Sequence, residues 1–416
     1  MLKAISRYGA RVAPGSDRII RECRRAGTLV QGPAIAEFEQ AFAARLHVPR
    51  AFSASFGRMA FLYILRALDL PAGSEVICPA LTFWVVPEMV RVAGLRPVFV
   101  DVDPHTLTID PEKLERAITE RTRAVVPTHI YGLPCDMDRI GAIVERHGLV
   151  MIEDCAHALG ATFRGREVGT FGHAAFFSFQ TLKPLNTFGG GIGVATDPAL
   201  GERAAGIAAQ EPWPDEARVL RRIRIGRIQR LFMRPSIFTL TGFPILWGTS
   251  WFERKPDVYL WEKIRPLDPL PIGYQERYAN VQAAIGLAAL KLVDEWTERT
   301  RRHAQRVTEA LRRIPWLEPP TVPPDRTHAF YQYAVHSNTR DQLAWRAIRR
   351  GLDVDTLHVD VCTRLALFGE ETEAPGAERA ADTIQVPVYS SLTDDDVEAV
   401  IARLMAAAAP LARSPA

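Results

Sequence analysis

Residues 149–157 read LVMIEDCAH, and residues 174–191 read AAFFSFQTLKPLNTFGGG. In the first segment a short apolar run, residues 149–152, is followed by Glu153 and Asp154, which predicts a buried strand with acids at its end. In the second, Lys183 lies in an apolar turn between a predicted strand and three consecutive glycines. A carboxylate and a lysine in such positions are the two protein groups that a pyridoxal phosphate (PLP) enzyme needs.

The chemistry expected of this pair is specific. Asp154 would keep the pyridine nitrogen of the cofactor protonated, so that the ring can accept electrons, and Lys183 would form the covalent link to the cofactor. A lysine in an apolar turn is also found as a surface residue that extends its amine into water. The rest of the chain is needed to decide between these interpretations.

Short apolar segments alternate with helical patterns over much of the chain. This alternation predicts an α/β fold, with a mostly parallel sheet that is wrapped by helices and binds its ligand beyond the carboxyl ends of the strands. Asp154 follows its predicted strand at such an end. The predicted strands are 75–78, 97–100, 124–127, 149–152, 174–179 and 331–335, and the predicted helices include 60–68, 111–120, 137–147, 295–313 and 394–408.

Further motifs occur in a definite order along the chain. They are QGP at 31–33, PALTF at 79–83, PVFVDVD at 97–103, HIYG at 129–132 and QAAIGL at 282–287. With the Asp154 and Lys183 segments, their order and spacing resemble the sugar aminotransferases of the DegT/DnrJ/EryC1/StrS family, from about residue 28 to residue 404. The resemblance implies fold type I, a large PLP-binding domain over 1–286 and a smaller C-terminal α+β domain over 287–416.

The same resemblance implies an activity and a partner. It implies transfer of an amino group to a keto sugar carried on a nucleotide, with glutamate as the donor, by a homodimer with composite active sites. A transaminase of a cyclitol or another keto substrate, and a PLP-fold scaffold without turnover, remain as alternatives. The dehydratase branch of the family has histidine in place of the lysine, and Lys183 argues against it.

The resemblance also implies which residues bind the cofactor. Gly57 and Arg58 begin a predicted helix whose N-terminus would hold the phosphate, together with Ser178. Phe83 would stack on the ring, and His157 would lie near its phenolic oxygen. The implied site residues are Gly57, Arg58, Met59, Phe83, Asp154, His157, Ser178, Lys183 and Gln275, with Lys183 and Asp154 catalytic and no metal.

Two of these positions depart from the family pattern. Arg58 replaces the usual threonine, so a charged contact would replace a hydroxyl contact with the phosphate, unless the arginine faces outward. Gln275, in Gly273-Tyr274-Gln275-Glu276-Arg277, replaces an asparagine that reaches across the dimer to the phosphate in the partner's site. Glutamine keeps the amide but is one methylene longer.

Residues 217–252 form the most individual part of the sequence. They contain seven arginines and no acid, followed by an apolar, aromatic stretch that Pro235 and Pro244 interrupt. This pattern is typical of an interfacial membrane anchor, because arginines bind anionic head groups and tryptophans favour that depth. A dimer-interface or lid segment, with arginines that recognise a nucleotide pyrophosphate, is the alternative.

Composition narrows the class of protein further. The 416 residues are 47% hydrophobic and can bury a large core, and the net charge of +3 gives no reason to expect nucleic acid as a partner. The five cysteines are scattered without metal-ligand spacing. We therefore expect a cytoplasmic enzyme, with contact at the inner face of the membrane left open by residues 217–252.

Overall fold

Strands and helices alternate in the computed structural model, which describes residues 3–9, 12–252, 263–357, 359–369 and 372–411. The strands are β1 (Arg50–Ala54), β2 (Glu75–Pro79), β3 (Leu81–Thr82), β4 (Arg96–Val100), β5 (Thr122–Val125), β6 (Val150–Asp154), β7 (Thr162–Phe163), β8 (Arg166–Glu167), β9 (Ala174–Ser178), β10 (Gly191–Ala195), β11 (Arg326–Thr327), β12 (Tyr333–His336), β13 (Asp355–Thr356), β14 (Asp360–Val361) and β15 (Thr383–Val386). The helices are α1 (Ser16–Arg25), α2 (Ala34–Leu46), α3 (Gly57–Leu68), α4 (Val85–Val92), α5 (Pro111–Arg116), α6 (Met137–His147), α7 (Pro198–Gln210), α8 (Glu216–Phe232), α9 (Pro235–Leu240), α10 (Gly242–Ser250), α11 (Asn280–Leu290), α12 (Val293–Leu311), α13 (Arg340–Arg349), α14 (Pro375–Arg379) and α15 (Asp394–Ala408).

A seven-stranded sheet forms the centre of the larger part of the molecule, in the order β1-β10-β9-β6-β5-β2-β4. The strands from β9 to β4 are parallel, and β10 pairs antiparallel with both β9 and β1 at one edge. All five segments predicted as buried strands before residue 180 are strands of this sheet. Their continuous apolar sequences fit strands that helices cover on both faces.

A second layered unit is built mainly from the C-terminal part of the chain. Its sheet, β12-β15-β13, is antiparallel, and α12, α13 and α15 pack with it around one apolar core. Helix α15 has the bounds that the sequence predicts, because Thr393 and Asp396 form a reciprocal capping box at its start. The short pair β14-β3 connects this unit to the larger one.

The predicted domain boundary at Gly286 lies inside α11. Helix α11 packs against α2, and a Cβ on Gly286 would lie 2.8 Å from the ring of Phe38. The chain therefore passes the predicted boundary without a break in its helix. The division into 1–286 and 287–416 stays a prediction.

Residues 3–9 pack against a distant part of the chain. The carbonyl of Ile5 accepts a hydrogen bond from the backbone N–H of Asp353 at 2.9 Å. The buried guanidinium of Arg7 forms ion pairs with Asp353 at 2.6 Å and with Asp355 at 2.7 Å. Buried ion pairs with matched geometry are costly to break, so this segment is held firmly in place.

Residues 217–252 fold into α9, α10 and most of α8. Pro235 is the first residue of α9 and Pro244 lies in the first turn of α10, positions where the missing N–H has no intrahelical partner to lose. Part of the apolar character is explained by packing within the chain. The buried apolar side chains of the segment are Val219, Ile223, Phe238, Phe243 and Leu246. No helix of the described residues is long and apolar enough to span a membrane.

Candidate active site

The carboxyl ends of the neighbouring strands β6 and β9 border a cavity of about 480 Å³. Its volume is in the range of pockets that bind cofactors and small substrates. The sequence predicts nine site residues, and seven of them line this cavity. These seven are Gly57, Arg58, Phe83, Asp154, His157, Ser178 and Lys183.

Asp154 is the last residue of β6, where alternate side chains point to opposite faces of the sheet. Its Oδ1 atom accepts a hydrogen bond from the backbone N–H of Ala156 at 3.0 Å. Burial raises the pKa of Asp154, while the Ala156 N–H and the amine of Lys183 oppose that rise. The carboxylate is thus oriented by the backbone and faces a cavity in which a positive charge would stabilise its ionised form.

Lys183 lies in the turn that follows β9, and its backbone N–H donates to the carbonyl of Gln180 at 2.9 Å. Its Nζ atom lies 4.6 Å from the ring centre of Tyr331. The pKa of Lys183 is lowered to about 7: burial lowers it most, Asp154 opposes that effect, and the charge of Arg58 adds to it. The neutral amine, which is the nucleophilic form, is therefore far more accessible near pH 7 than it is in an ordinary lysine.

Helix α3 begins at Gly57, beside Ser178 at the end of β9. A Cβ atom at position 57 would lie 2.8 Å from the carbonyl oxygen of Phe177, so glycine allows the helix N-terminus to approach the strand this closely. The first N–H groups of a helix have no intrahelical acceptor and carry partial positive charge. Together with the Ser178 hydroxyl, they form an arrangement that could hold a phosphate.

Arg58 extends into the cavity rather than outward. Its Nη1 atom donates to the hydroxyl of Tyr274 at 2.5 Å, and its guanidinium carbon lies 5.6 Å from the ring centre of Phe83. The rings of Phe56 and Tyr274 also flank it, at 5.5 Å and 5.3 Å. The outward-facing alternative for this arginine is therefore wrong, and a fixed positive charge lies at the start of α3.

Aromatic rings form much of the remaining wall. The imidazole of His157 stacks on the ring of Tyr331, with ring centres 4.2 Å apart and planes at 24°. Phe83 lines the cavity near Arg58. A flat cofactor ring would find apolar and aromatic surfaces here, together with one imidazole.

Two predicted site residues do not line the cavity. The side chain of Met59 is fully buried in the core beneath α3, because each step along a helix turns the side chain by about 100° away from its neighbour. The side chain of Met59 therefore does not reach the cavity, and its assignment to the cofactor site stays a prediction. Gln275 is exposed on the surface, although the adjacent Tyr274 is buried in the cavity wall.

The HIYG motif shapes the turn beside the site. The Nδ1 atom of His129 accepts from the backbone N–H of Cys135 at 3.0 Å, so its Nε2 atom donates to Glu153 at 3.0 Å. Glu153 also accepts from the backbone N–H groups of Gly169, Phe171 and Gly172. These bonds hold the loop behind Asp154, on the face of β6 opposite the cavity.

The sequence gives little indication of several other lining residues. Tyr331 precedes the short strand β12 and reads as an ordinary strand aromatic, and Gln229 lies in the unusual helix α8. Tyr8 comes from the distant segment 3–9. Tyr274 could have been found, since it is next to Gln275 in a motif that already indicated the site.

The residues around the cavity fit PLP. The N-terminus of α3, Ser178 and Arg58 supply donors for a phosphate, and Asp154 and Lys183 supply the acid and the amine that the ring requires. These residues lie at the carboxyl ends of a mostly parallel sheet, where such sheets bind their ligands. The fold and the site together are those of a PLP-dependent aminotransferase of fold type I. The fold class that the sequence predicts is confirmed.

The chain belongs to the DegT/DnrJ/EryC1/StrS aminotransferase family, whose profile matches residues 15–405. It is 32% identical over 395 residues to the spore coat polysaccharide biosynthesis protein SpsC of Bacillus subtilis, covering 92% of this chain and 91% of SpsC. It is also 32% identical over 390 residues to the GDP-perosamine synthase of Caulobacter vibrioides, covering 90% of each chain. Among solved structures, S. venezuelae DesV in complex with a ketimine intermediate has a TM-score of 0.75 and 29% identity, over 96% of this chain and 95% of DesV. The protein is thus a PLP-dependent sugar aminotransferase.

Proposed function

We propose that this aminotransferase moves the amino group of glutamate to a keto sugar carried on a nucleotide. The observation that carries the reaction is the placement of Lys183 and Asp154 on one buried cavity. Support for the nucleotide comes from a relative named GDP-perosamine synthase. The donor is proposed from the family resemblance, because glutamate is the usual amino donor of such enzymes.

PLP, when bound, supplies an electron sink for the charge that remains on a carbon when its proton is removed. Lys183 would hold the cofactor covalently through its amine. When it is not bound to the cofactor, the amine of Lys183 would act as the general base and acid that takes a proton from the substrate carbon and later returns one. Asp154 would hold a proton on the ring nitrogen throughout.

We propose that Arg58 is a phosphate ligand in place of the family threonine. Its guanidinium is fixed by Tyr274 and lies at the N-terminus of α3, next to Gly57. Charge-assisted hydrogen bonds are stronger than hydroxyl contacts, so the arginine would retain the cofactor at least as well. His157 is proposed to donate to the phenolic oxygen of the ring, and Phe83 to cover one ring face.

We also propose a homodimer in which each subunit contributes to its partner's site. Tyr274 faces the cavity of its own chain, whereas Gln275 is exposed and Ile272, nearby, is 92% exposed. An exposed glutamine and isoleucine beside an active site favour a surface that a second subunit covers. A cytoplasmic location, and peripheral membrane contact through residues 217–252, are proposals of the same kind.

The main proposal is tested in two steps. Holoenzyme mixed with glutamate should lose its visible absorbance band as the amino group moves to the cofactor, and a panel of nucleotide-linked 3-keto and 4-keto sugars should restore it. Borohydride reduction followed by peptide mapping should place the covalent label on Lys183, with Lys183→Ala as the control. A label on another lysine, or recovery with cyclitol ketones alone, would refute the assignment.

A further inference from the structure

The exposed apolar side chains of this protein are concentrated in one segment. Twelve large apolar side chains are exposed among the described residues, and nine of them lie between residues 225 and 252. We call them the α8–α10 surface: Ile225, Ile228, Leu231, Phe232, Leu240, Ile245, Trp247, Trp251 and Phe252. Exposed apolar residues scattered singly over a protein are normal, but their concentration in one segment favours an interaction site.

The same segment is strongly basic. Its seven arginines and lack of acids give residues 217–252 a charge of +7, whereas the whole chain has +3, so the other residues together have −4. Arg218 and Arg227 are paired with Glu276 and Asp17. The exposed Arg221, Arg224 and Arg234 have no ion-pair partner in the part of the chain that the structure describes, and they are available to an external anion. The surface therefore combines apolar side chains with uncompensated positive charge.

The positive charge of the α8–α10 surface indicates which kind of partner it can bind. A second copy of the chain, paired through the same surface on both subunits, would bring two segments of +7 together, and like charges oppose that contact. An anionic lipid surface is complementary in charge, and it also accommodates the apolar side chains at the depth of the head groups. The exposed Trp247 and Trp251, with ring centres 5.8 Å apart, are of the type that membrane interfaces favour.

We infer that the α8–α10 surface binds the protein to a membrane that contains anionic phospholipid, with no segment crossing the bilayer. The inference also orients the enzyme. Gln229 of α8 lines the active-site cavity, and the guanidinium of Arg222 lies 4.9 Å from the ring centre of Phe56 in the cavity wall. One side of α8 is thus part of the active site, while Ile225 and Ile228 of the same helix are exposed. When this helix binds the membrane, the active-site cavity therefore lies beside the lipid head groups.

Vesicle sedimentation tests this inference without turnover, so its outcome is independent of the proposed substrate. PLP-loaded protein is mixed with vesicles of phosphatidylglycerol and phosphatidylcholine, or of phosphatidylcholine alone. We expect binding to the mixed vesicles, weaker binding with added salt, and a blue shift of tryptophan fluorescence. Arg221→Gln, Arg224→Gln and Arg234→Gln together should weaken binding on the order of 100-fold, since each basic residue contributes about fivefold at such a surface.

Two further variants make the result specific. Leu240→Ser, Ile245→Ser and Phe252→Ser together should also weaken binding, because their exposed side chains supply the apolar contact. A control variant makes the same change of charge elsewhere, on α5 and α6, and should leave binding intact. It carries Arg116→Gln, Arg139→Gln and Arg146→Gln. Absence of binding to the mixed vesicles at low salt overturns the inference. A lower molar mass of the serine variant in solution also overturns the inference, because that result would assign the surface to a contact between copies of the chain.

Discussion

The lowered pKa of Lys183 gives a quantitative prediction for the protein without its cofactor. With a pKa of about 7, the neutral fraction of the amine rises about tenfold between pH 6 and pH 8 and then stays nearly constant. An ordinary lysine would become about 100-fold more reactive over the same interval and continue to rise toward pH 10. Because folding lowers the pKa of the Lys183 amine, its neutral, reactive form already predominates above about pH 7.

The assay is the rate of covalent reaction with pyridoxal, followed by absorbance in a stopped-flow instrument. Pyridoxal is preferred to PLP because a phosphate ester itself titrates near pH 6 and would distort the profile. Arg58→Gln should move the midpoint to higher pH, since it removes a positive neighbour, and Asp154→Asn should move it lower. Lys183→Ala measures the background from other lysines. A rate that increases without a plateau into the ordinary lysine range would refute the reasoning.

Three further predictions concern the site and the fold. Asp154→Asn should retain PLP but transaminate on the order of 100-fold more slowly, since loss of a preorganised charge partner costs about 2–4 kcal/mol; an unchanged kcat would exclude its role at the ring. Mixing Lys183→Ala with Gln275→Ala subunits should restore activity through heterodimers with one intact site, and no recovery despite demonstrated exchange would place Gln275 elsewhere. Gly57→Ala should lower the free energy of unfolding by about 1–3 kcal/mol in denaturant titrations, because its Cβ would meet a backbone oxygen. Gly141→Ala, in α6 with no atom within 4 Å of its Cβ, is the control and should be neutral or slightly stabilising.

The central sheet and its catalytic edge could be predicted from the sequence because their signals are local. Buried parallel strands appear as short apolar runs, and Asp154 lies at the end of the strand that contains one of them. The inward position of Arg58 could not be predicted in this way, since it depends on Tyr274, which is 216 residues away. The same limit applies to Tyr331, whose approach to Lys183 is fixed by the packing of two separate units.

Residues 217–252 show a second limit. Their apolar residues form one continuous pattern in the sequence, yet the structure divides them between a buried set and an exposed set. Phe238 and Phe243 pack into the C-terminal core, whereas Leu240 between them is 71% exposed. Hydrophobicity alone does not distinguish these environments, because which side of a short helix is covered depends on distant partners.

The contact between residues 3–9 and the segment around Asp353 has a consequence for folding during synthesis. Tyr8 contributes to the cavity, yet its hydroxyl lies 3.5 Å from a carboxylate oxygen of Asp355, 347 residues later in the chain. During translation, residues 3–9 are therefore synthesised long before the residues that they pack against. All seven strands of the central sheet lie within residues 50–195, whereas the pocket also needs side chains such as Tyr331 and Val359 from much later in the chain.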